Sequence, residues 1–415
     1  MFARRTSWNL ATNAYTHALE EHRRSGKELL DLTASNPTTV GLRYDEEGIL
    51  QALAKQEALT YQPDARGLLV AREAIARYYA ERGLQVSPDD LILTTSTSEA
   101  YSFVFRLLCD PGDAVLVPTP SYPLFEFLAD LQDVKLVPYE LVYDHGWQMD
   151  FQSLEQATVK SHVLKAVLVV HPNNPTGSFV RPSEVVQLSH LCAEHKLAVI
   201  ADEVFLDYSL KDAGTPSLRP PSAKGWDDKC EERPLSFASG TSMASATGVL
   251  TFTLSGLSKI SGLPQMKVAW IAVAGPQELK REALSRLEVI ADTYLSMNAP
   301  LQWAIPELLE GGRYIQKQLM SRIRANLAEL DRQLADQKLC SRLEIEGGWY
   351  VVLRVPVTAS DEELAIAILR QTGVLVQPGH FYDFAGDGYL VVSLIPAKEI
   401  FATGLERLLR FVAKA

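Results

Sequence analysis

Cysteine is scarce in this chain of 415 residues. The four cysteines are far apart and have no CxxC spacing; they are Cys109, Cys192, Cys230 and Cys340. A disulfide framework or a zinc site needs closer spacings, so neither is expected. Scattered reduced thiols are typical of a protein in a reducing compartment, and we expect a cytoplasmic location.

The chain also lacks an excess of positive charge. Its formal net charge is −11 at pH 7 and its isoelectric point is near 5.3. Proteins that bind nucleic acids need a basic face, so that class of protein is not expected. No apolar run approaches the length of a membrane-spanning helix. No GxGxxG motif follows the first predicted strand, which argues against a nicotinamide dehydrogenase.

Short apolar runs alternate with amphipathic helical stretches over residues 68–274. Strands that are apolar throughout are buried on both faces, which is typical of a mostly parallel sheet flanked by helices, an α/β architecture. Ligands of such sheets bind at the carboxyl ends of the strands. The predicted strands are 91–94, 114–117, 134–137, 166–170, 197–201, 249–254 and 268–274, and the predicted helices are 68–82, 98–108, 121–131 and 182–195.

The last third of the chain predicts a smaller α+β domain, which the N-terminal segment joins. Residues 210–245 are interpreted as a long excursion from the large sheet, because a further strand follows them. The predicted boundaries are 1–50 for the N-terminal segment, 51–295 for the large domain and 296–415 for the small domain. The elements predicted after the large sheet are helices 277–295, 313–337, 361–371 and 397–412 and strands 343–345, 349–355, 374–376 and 389–394.

Polar side chains follow the predicted strands of the large sheet. Thr97 and Ser98 open the first helix after a strand, where hydroxyls and free N–H groups bind phosphate, although N-capping alone explains the same residues. Tyr122 follows the next strand and either packs or stacks on a ligand. Asn174 lies in the run His-Pro-Asn-Asn-Pro-Thr-Gly, which also suits an ordinary turn.

Two charged residues lie where charge is costly. Asp202 ends a wholly apolar strand, so its carboxylate requires a cationic partner. Lys259 lies in the run Leu-Ser-Gly-Leu-Ser-Lys-Ile-Ser-Gly-Leu-Pro, directly after another apolar strand. A poorly solvated amine has a lowered pKa and can attack a carbonyl, although many lysines in such runs are plain loop residues.

The order of these motifs resembles that of the fold-type I pyridoxal-phosphate enzymes, in particular the class I and II aminotransferases. The motifs are Asn-Pro-Thr-Gly from Asn174, Asp-Glu from Asp202 and Ser-Lys ending at Lys259. The similarity extends over nearly the whole chain, from Ser-Asn-Pro-Thr at 35–38 through the run 61–67 to Pro-Gly at 378–379 and beyond.

The resemblance implies pyridoxal 5′-phosphate as the cofactor. Lys259 would hold it as a Schiff base and move the proton during catalysis, while Asp202 would keep the pyridine nitrogen protonated. The other implied contacts are stacking by Tyr122, a hydrogen bond from Asn174 to the ring hydroxyl, and phosphate binding by Thr97, Ser98, Lys267 and Tyr61. In this family that last tyrosine comes from the neighbouring subunit, so a homodimer is implied.

Three positions near the implied cofactor depart from the family pattern. Lys267 replaces an arginine and keeps its charge without the bidentate fork. Gly256 replaces a phosphate-binding serine, which leaves Ser255 and Ser258 as substitutes. Phe205 replaces a tyrosine that donates to the ring hydroxyl, and the loss of this donor should raise the pKa of the imine.

A fourth departure concerns the substrate. Val391 stands where relatives have the arginine that binds the substrate α-carboxylate. An α-amino acid then loses its main anchor unless another cation serves. The candidates are Arg43, Arg66 and Arg354, each of which also suits a surface or structural role.

We therefore predict a pyridoxal-phosphate-dependent aminotransferase that uses a small-molecule amino donor and a keto acid acceptor. The same cofactor site supports lyases and decarboxylases, and the missing arginine modestly favours them. A non-catalytic cofactor-binding regulator is a third interpretation, but passive binding has no need of both Lys259 and Asp202. No nucleic-acid or membrane partner is expected.

Overall fold

The computed structural model describes residues 1–123, 125–160, 163–210, 242–246 and 248–414. The strands within these ranges are β1 (Leu30–Asp31), β2 (Leu91–Thr94), β3 (Ala114–Thr119), β4 (Lys135–Tyr143), β5 (Trp147–Met149), β6 (Leu164–Val170), β7 (Ala198–Asp202), β8 (Thr251–Gly256), β9 (Ala269–Ala274), β10 (Ser341–Arg342), β11 (Tyr350–Arg354), β12 (Val374–Leu375), β13 (Gln377–Pro378) and β14 (Tyr389–Ser393).

The α-helices flank these strands. They are α1 (Ala14–Arg24), α2 (Glu46–Leu53), α3 (Leu69–Ala80), α4 (Thr97–Leu108), α5 (Phe125–Asp130), α6 (Phe151–Lys160), α7 (Pro182–His195), α8 (Leu257–Ile260), α9 (Gln277–Tyr294), α10 (Ala299–Ala335), α11 (Asp361–Thr372) and α12 (Lys398–Val412). None of the described helices is long and apolar enough to span a bilayer.

Local sequence signals set several of these boundaries. The hydroxyl of Ser360 accepts a hydrogen bond from the backbone N–H of Glu363, whose carboxylate accepts from the N–H of Ser360 in return, so α11 begins with a capping box. The same helix ends at Gly373, whose φ of +73° suits glycine. These local signals explain why α11 begins at Asp361 and ends at Thr372, close to the predicted bounds 361–371.

The large sheet has the strand order β2-β9-β8-β7-β6-β3-β4-β5. Strands β4, β3, β6, β7 and β8 pair in parallel, whereas β9 is antiparallel to both of its neighbours and β5 is antiparallel to β4. Because β2 and β8 both oppose β9, they run in the same direction. The mostly parallel sheet predicted from the sequence is confirmed, and the carboxyl ends of β2, β8, β7, β6 and β3 share one edge.

A second, antiparallel sheet has the order β10-β11-β14-β13 and packs with α11 and α12. Strand β1 pairs in parallel with β12, so the N-terminal segment joins the C-terminal third, as predicted. The residue boundaries 1–50, 51–295 and 296–415 stay predictions.

Several predicted elements differ in the structure. Helix α5 begins at Phe125 and not at residue 121, and β4 continues to Tyr143 and not to residue 137. The helix predicted from residue 313 begins at Ala299 and runs unbroken to Ala335, although it contains Pro306. The strand predicted at 343–345 lies instead at Ser341–Arg342, where it pairs with β11. Most of the predicted excursion 210–245 lies outside the described residues.

Candidate active site

The sequence-predicted site residues converge on one edge of the large sheet. Lys259 follows β8, Asp202 ends β7, and Asn174 follows β6, which lies beside β7. Tyr122 follows β3 and Thr97 follows β2 at the same edge. The topology therefore brings residues that are far apart in sequence to one place.

Lys259 lies in an aromatic environment. Its Nζ is 4.7 Å from the ring centroid of Trp349 and 5.2 Å from that of Phe205. Burial lowers the pKa of its amine from 10.5 to about 8, and the nearby Asp202 carboxylate opposes this shift. A pKa lowered to about 8 raises the neutral fraction of the amine at pH 7 by about 300-fold. The side chain is thus prepared to act as a nucleophile or a base.

Asp202 is buried, and its carboxylate accepts two hydrogen bonds. Tyr101 donates its hydroxyl to Oδ2 at 2.8 Å, and the backbone N–H of Val204 donates to Oδ1 at 3.1 Å. Burial raises the pKa of Asp202, while these bonds and the charge of Lys259 lower it. The positive charge of Lys259 acts on Asp202 through space, and the direct side-chain contact of the carboxylate is the phenol of Tyr101.

At the N-terminus of α4, the residue that caps the helix differs from the two residues predicted to bind phosphate. The N-cap is Ser96, whose hydroxyl accepts from the backbone N–H of Glu99 at 3.1 Å. The cap is therefore not formed by Thr97 or Ser98, whose side chains are partly buried and exposed, respectively. Lys267 is exposed and precedes β9, whose first residue lies at the same edge of the sheet.

The two asparagines in the run that contains Asn174 differ in their hydrogen bonds. The amide of Asn173 bonds to Ser121, to the carbonyl of Pro120 and to Thr176, so this side chain holds the loop. The amide oxygen of Asn174 is buried and has no hydrogen-bond partner among the described residues. Of the two, Asn174 is the side chain left for a ligand.

Burial raises the pKa of Tyr122, and the negative charge of Asp202 adds to this effect. The residue is 38% exposed. This position suits a ring that lies over a ligand between it and the sheet edge.

Steric crowding explains why residue 256 is a glycine and not the serine of the family. A Cβ on Gly256 would lie 2.6 Å from the carbonyl oxygen of Val268, so a larger residue does not fit without a shift of β9. Ser255 is buried within β8, whereas Ser258 is partly exposed in the first turn of α8. Ser258 is therefore the accessible substitute.

Two further predicted positions concern a second subunit and the substrate. Tyr61 is 80% exposed on the surface. Val391 is fully buried in the small domain, where it pairs with Val352 and Gln377 in the sheet. The arginine fork of the family therefore has no counterpart at this position.

The three arginines proposed as substitutes differ in their surroundings. Arg66 contacts Glu288 at 2.6 Å and donates to the carbonyl of Asp89 at 2.9 Å, which is a structural role. Arg43 is exposed. Arg354 is exposed at the end of β11.

Sequence reasoning missed two tyrosines. Tyr101 matches the apolar pattern of α4, and Tyr208 follows Phe205 in a short loop, so both suit an ordinary core. Both are buried, and each hydroxyl bonds to a site residue: Tyr101 to Asp202, and Tyr208 to the carbonyl of Lys259 at 2.6 Å. The one available signal is that a buried phenol requires a hydrogen-bond partner.

Comparison with known proteins agrees with this geometry. The family model described as aminotransferase class I and II matches residues 7–400. The chain is 28% identical over 401 residues to an alanine aminotransferase of Mycobacterium tuberculosis, covering 93% of this chain and 86% of the relative. It is also 28% identical over 412 residues to an aspartate/prephenate aminotransferase of Thermus thermophilus, covering 98% and 96%.

A solved structure has the same fold. The alanine aminotransferase of Pyrococcus furiosus superposes with a TM-score of 0.85 and 23% identity over the full length of both chains. Enzymes of this family and fold depend on pyridoxal 5′-phosphate. The whole-length family match, together with Lys259 and Asp202 at one sheet edge, leads to the conclusion that the chain belongs to the class I and II aminotransferase family.

Proposed function

We propose that this pyridoxal-phosphate-dependent aminotransferase uses Lys259 to transfer an amino group from a small-molecule amino donor to a keto acid. The observation that carries the proposal is the partly desolvated amine of Lys259, whose pKa is about 8, beside the buried carboxylate of Asp202. Covalent attachment to a carbonyl requires a neutral amine, and the subsequent proton transfer is helped by a fixed carboxylate nearby.

The residues present fit the cofactor. The buried carboxylate of Asp202 has a raised pKa, and a protonated pyridine nitrogen would supply the cation that it lacks at hydrogen-bond distance. The buried amide oxygen of Asn174 has no hydrogen-bond partner among the described residues, so this side chain is available to contact the ring hydroxyl. The first turn of α4, with Thr97 and Ser98, offers N–H groups and hydroxyls to the phosphate. Pyridoxal phosphate, when bound, supplies the electron sink for the reaction.

The protein side chains would have the following roles. The amine of Lys259 would accept and return the proton of the substrate carbon. Asp202, held by Tyr101, would keep the cofactor nitrogen protonated. Tyr122 would cover the ring, and Lys267 would supply a positive point charge to the phosphate.

We propose that aromatic residues line the substrate end of the site. The rings of Trp349 and Phe205 lie 4.7 and 5.2 Å from the Nζ of Lys259. The ring of Tyr350 is 6.2 Å from that of Phe205, and burial with neighbouring phenols raises the pKa of both Tyr350 and Tyr382. We therefore propose that substrates bind through apolar and neutral hydrogen-bonding contacts and without an arginine on β14.

The reaction type is tested by supplying donors without an acceptor. An aminotransferase consumes one equivalent of donor per site and then stops until a keto acid is added. Continuous release of ammonia and pyruvate, or of carbon dioxide, without an acceptor would instead identify a lyase or a decarboxylase.

We also propose a homodimer in which Tyr61 of each subunit completes the phosphate site of the other. Tyr61 lines a surface cleft with Leu59 and Leu295, and these apolar side chains are 80%, 86% and 42% exposed, respectively. An exposed apolar cluster of this kind is typical of a surface that is covered by another chain.

A subunit-mixing experiment tests this arrangement. Lys259→Ala and Tyr61→Phe each damage a different part of the site. If each site uses its own Lys259 and its partner's Tyr61, the mixed dimer has one intact site, so co-refolding the two variants restores activity. Activity no higher than that of the Tyr61→Phe protein alone would contradict a shared site.

We propose a cytoplasmic location. The described cysteines, Cys109, Cys192 and Cys340, are free thiols, as a reducing compartment maintains them. Fractionation of cells that make the protein, followed by immunodetection, tests this proposal; recovery in a secreted or membrane fraction would contradict it.

A further inference from the structure

The segment that carries Lys259 cannot be held by its own helix. Helix α8 has only four residues, Leu257–Ile260, and is followed by Ser261 and Gly262. Helices of this length are unstable by themselves, because few internal hydrogen bonds form for the residues that are ordered. The position of Lys259 therefore depends on contacts with other parts of the chain.

Three carbonyl groups of this segment each accept a hydrogen bond from a side chain of a different element. The hydroxyl of Tyr208, in the loop after β7, donates to the carbonyl of Lys259 at 2.6 Å. Gln316 of α10 donates its amide to Ile260 at 2.9 Å, and Tyr44, which precedes α2, donates its hydroxyl to Gly262 at 2.8 Å. We call Tyr44, Tyr208 and Gln316 the carbonyl clamp.

Close packing reinforces the clamp on the side of α10. The hydroxyl of Ser261 donates to the carbonyl of Leu308 at 2.8 Å. A Cβ on Gly312 would lie 2.5 Å from the Oγ of Ser261, so the two backbones approach as closely as glycine permits. The lysine-bearing segment is therefore pressed directly against the long helix.

Tyr208 connects the backbone of Lys259 with the surroundings of its amine. The tyrosine is fully buried, and its ring packs edge to face on Trp349 at 5.1 Å. Trp349 in turn lies 4.7 Å from the Nζ of Lys259. One side chain thus contacts both the carbonyl of the lysine and the indole that shields its amine.

We infer that the carbonyl clamp fixes the main chain of Lys259 and that Tyr208 is a positioning residue for the reaction. The inference rests on the proposed function of Lys259 as nucleophile and base. Phe205, at the position from which family members donate to the cofactor, has no hydroxyl. In this chain the hydroxyl three residues later binds the lysine backbone instead.

The variant Tyr208→Phe tests the inference, because it removes one hydroxyl and keeps the ring against Trp349. We expect kcat to fall by about tenfold to a hundredfold, with KM changed by less than about twofold, since a misplaced base slows chemistry more than binding. The second readout uses apo-protein, in which Lys259 is labelled with an amine reagent over a range of pH. A looser segment admits water, so the labelling midpoint should rise from about 8 toward 10.5.

The matched control is Tyr139→Phe. Tyr139 is also buried and donates its hydroxyl to a carbonyl, that of Leu168, at 3.0 Å within the large domain. This control should lose stability to a similar extent while the labelling midpoint of Lys259 and kcat stay at the wild-type values. Hydrogen exchange of the amides of residues 260–263 should accelerate in Tyr208→Phe and remain unchanged in Tyr139→Phe.

The inference is overturned if Tyr208→Phe loses only stability, with the labelling midpoint, the exchange rates and kcat all like those of Tyr139→Phe. Its failure is distinguishable from failure of the proposed function. If wild-type protein catalyses no transamination but Tyr208→Phe still shifts the labelling midpoint, the clamp stands and the proposed reaction is wrong.

Discussion

The hydrogen bond from Tyr101 to Asp202 allows a quantitative prediction. The hydroxyl oxygen of Tyr101 is 2.8 Å from Oδ2 of Asp202, and both residues are buried. Burial raises the pKa of Asp202, and this hydrogen bond lowers it. A hydrogen bond to a charged group contributes about 1.5–3 kcal/mol, and 1.4 kcal/mol corresponds to a factor of ten in an equilibrium constant. If Asp202 pairs with the cofactor nitrogen, Tyr101→Phe should weaken cofactor binding by about tenfold to a hundredfold.

The assay is titration of apo-protein with pyridoxal phosphate, followed by the visible absorbance of the bound cofactor. The control is Tyr79→Phe, which removes a buried hydroxyl that accepts from the indole N–H of Trp270 at 3.0 Å. The hydroxyl of Tyr79 bonds to Trp270 and not to Asp202, so this variant should be less stable but should bind the cofactor with the wild-type Kd. A Kd of Tyr101→Phe within twofold of wild type would refute the reasoning.

Three further substitutions test other parts of the account. The ring centroid of Phe205 is 5.2 Å from the Nζ of Lys259. Phe205→Tyr restores the hydroxyl donor of the family and should lower the pKa of the imine, measured by titrating its visible band; an unchanged midpoint would count against the idea. Val391→Arg places an unpaired charge in a fully buried position and should cost about 3 kcal/mol or more, seen as a lower Tm; wild-type stability with improved use of α-amino acids would contradict this. Burial raises the pKa of Glu203 from 4.5 to about 8. Between these two pH values the folded state binds more protons than the unfolded state, so the contribution of Glu203 to the free energy of unfolding falls as pH rises. Glu203→Gln should therefore gain stability relative to wild type between pH 5 and pH 9, and a constant difference in Tm would argue against a protonated Glu203.

Local pattern was sufficient for the central strands of the large sheet, such as β6, β7 and β9. These strands are apolar at nearly every position because both of their faces are covered. It was not sufficient at the edge of the sheet, where β4 is longer and more exposed than predicted and β5 was not predicted. The polar residues at the strand ends then locate the site, since parallel strands end at one edge. Asp202 and Lys259 could be found in this way.

Other features of the fold and of the site depend on tertiary contacts, which the local sequence pattern does not predict. Pro306 and Gly312 argue against one continuous helix, yet α10 runs through both because its neighbours, including Ser261, pack against it. Tyr101 and Tyr208 have the sequence pattern of ordinary core residues, and only the fold brings their hydroxyls to Asp202 and to the backbone of Lys259. Pairwise contacts across such distances in sequence leave no periodic signal.

Transamination through Lys259 can be tested by following the visible absorbance of the purified holo-protein as single donors and then keto acids are added. We predict that at least one donor converts the band stoichiometrically, that a keto acid restores it, and that Lys259→Ala abolishes both changes. Donors should be offered with and without an α-carboxylate, because Val391 replaces the arginine that binds this group in the family. Release of ammonia and pyruvate or of carbon dioxide in the absence of any keto acid, without reversible conversion of the band, would contradict transamination.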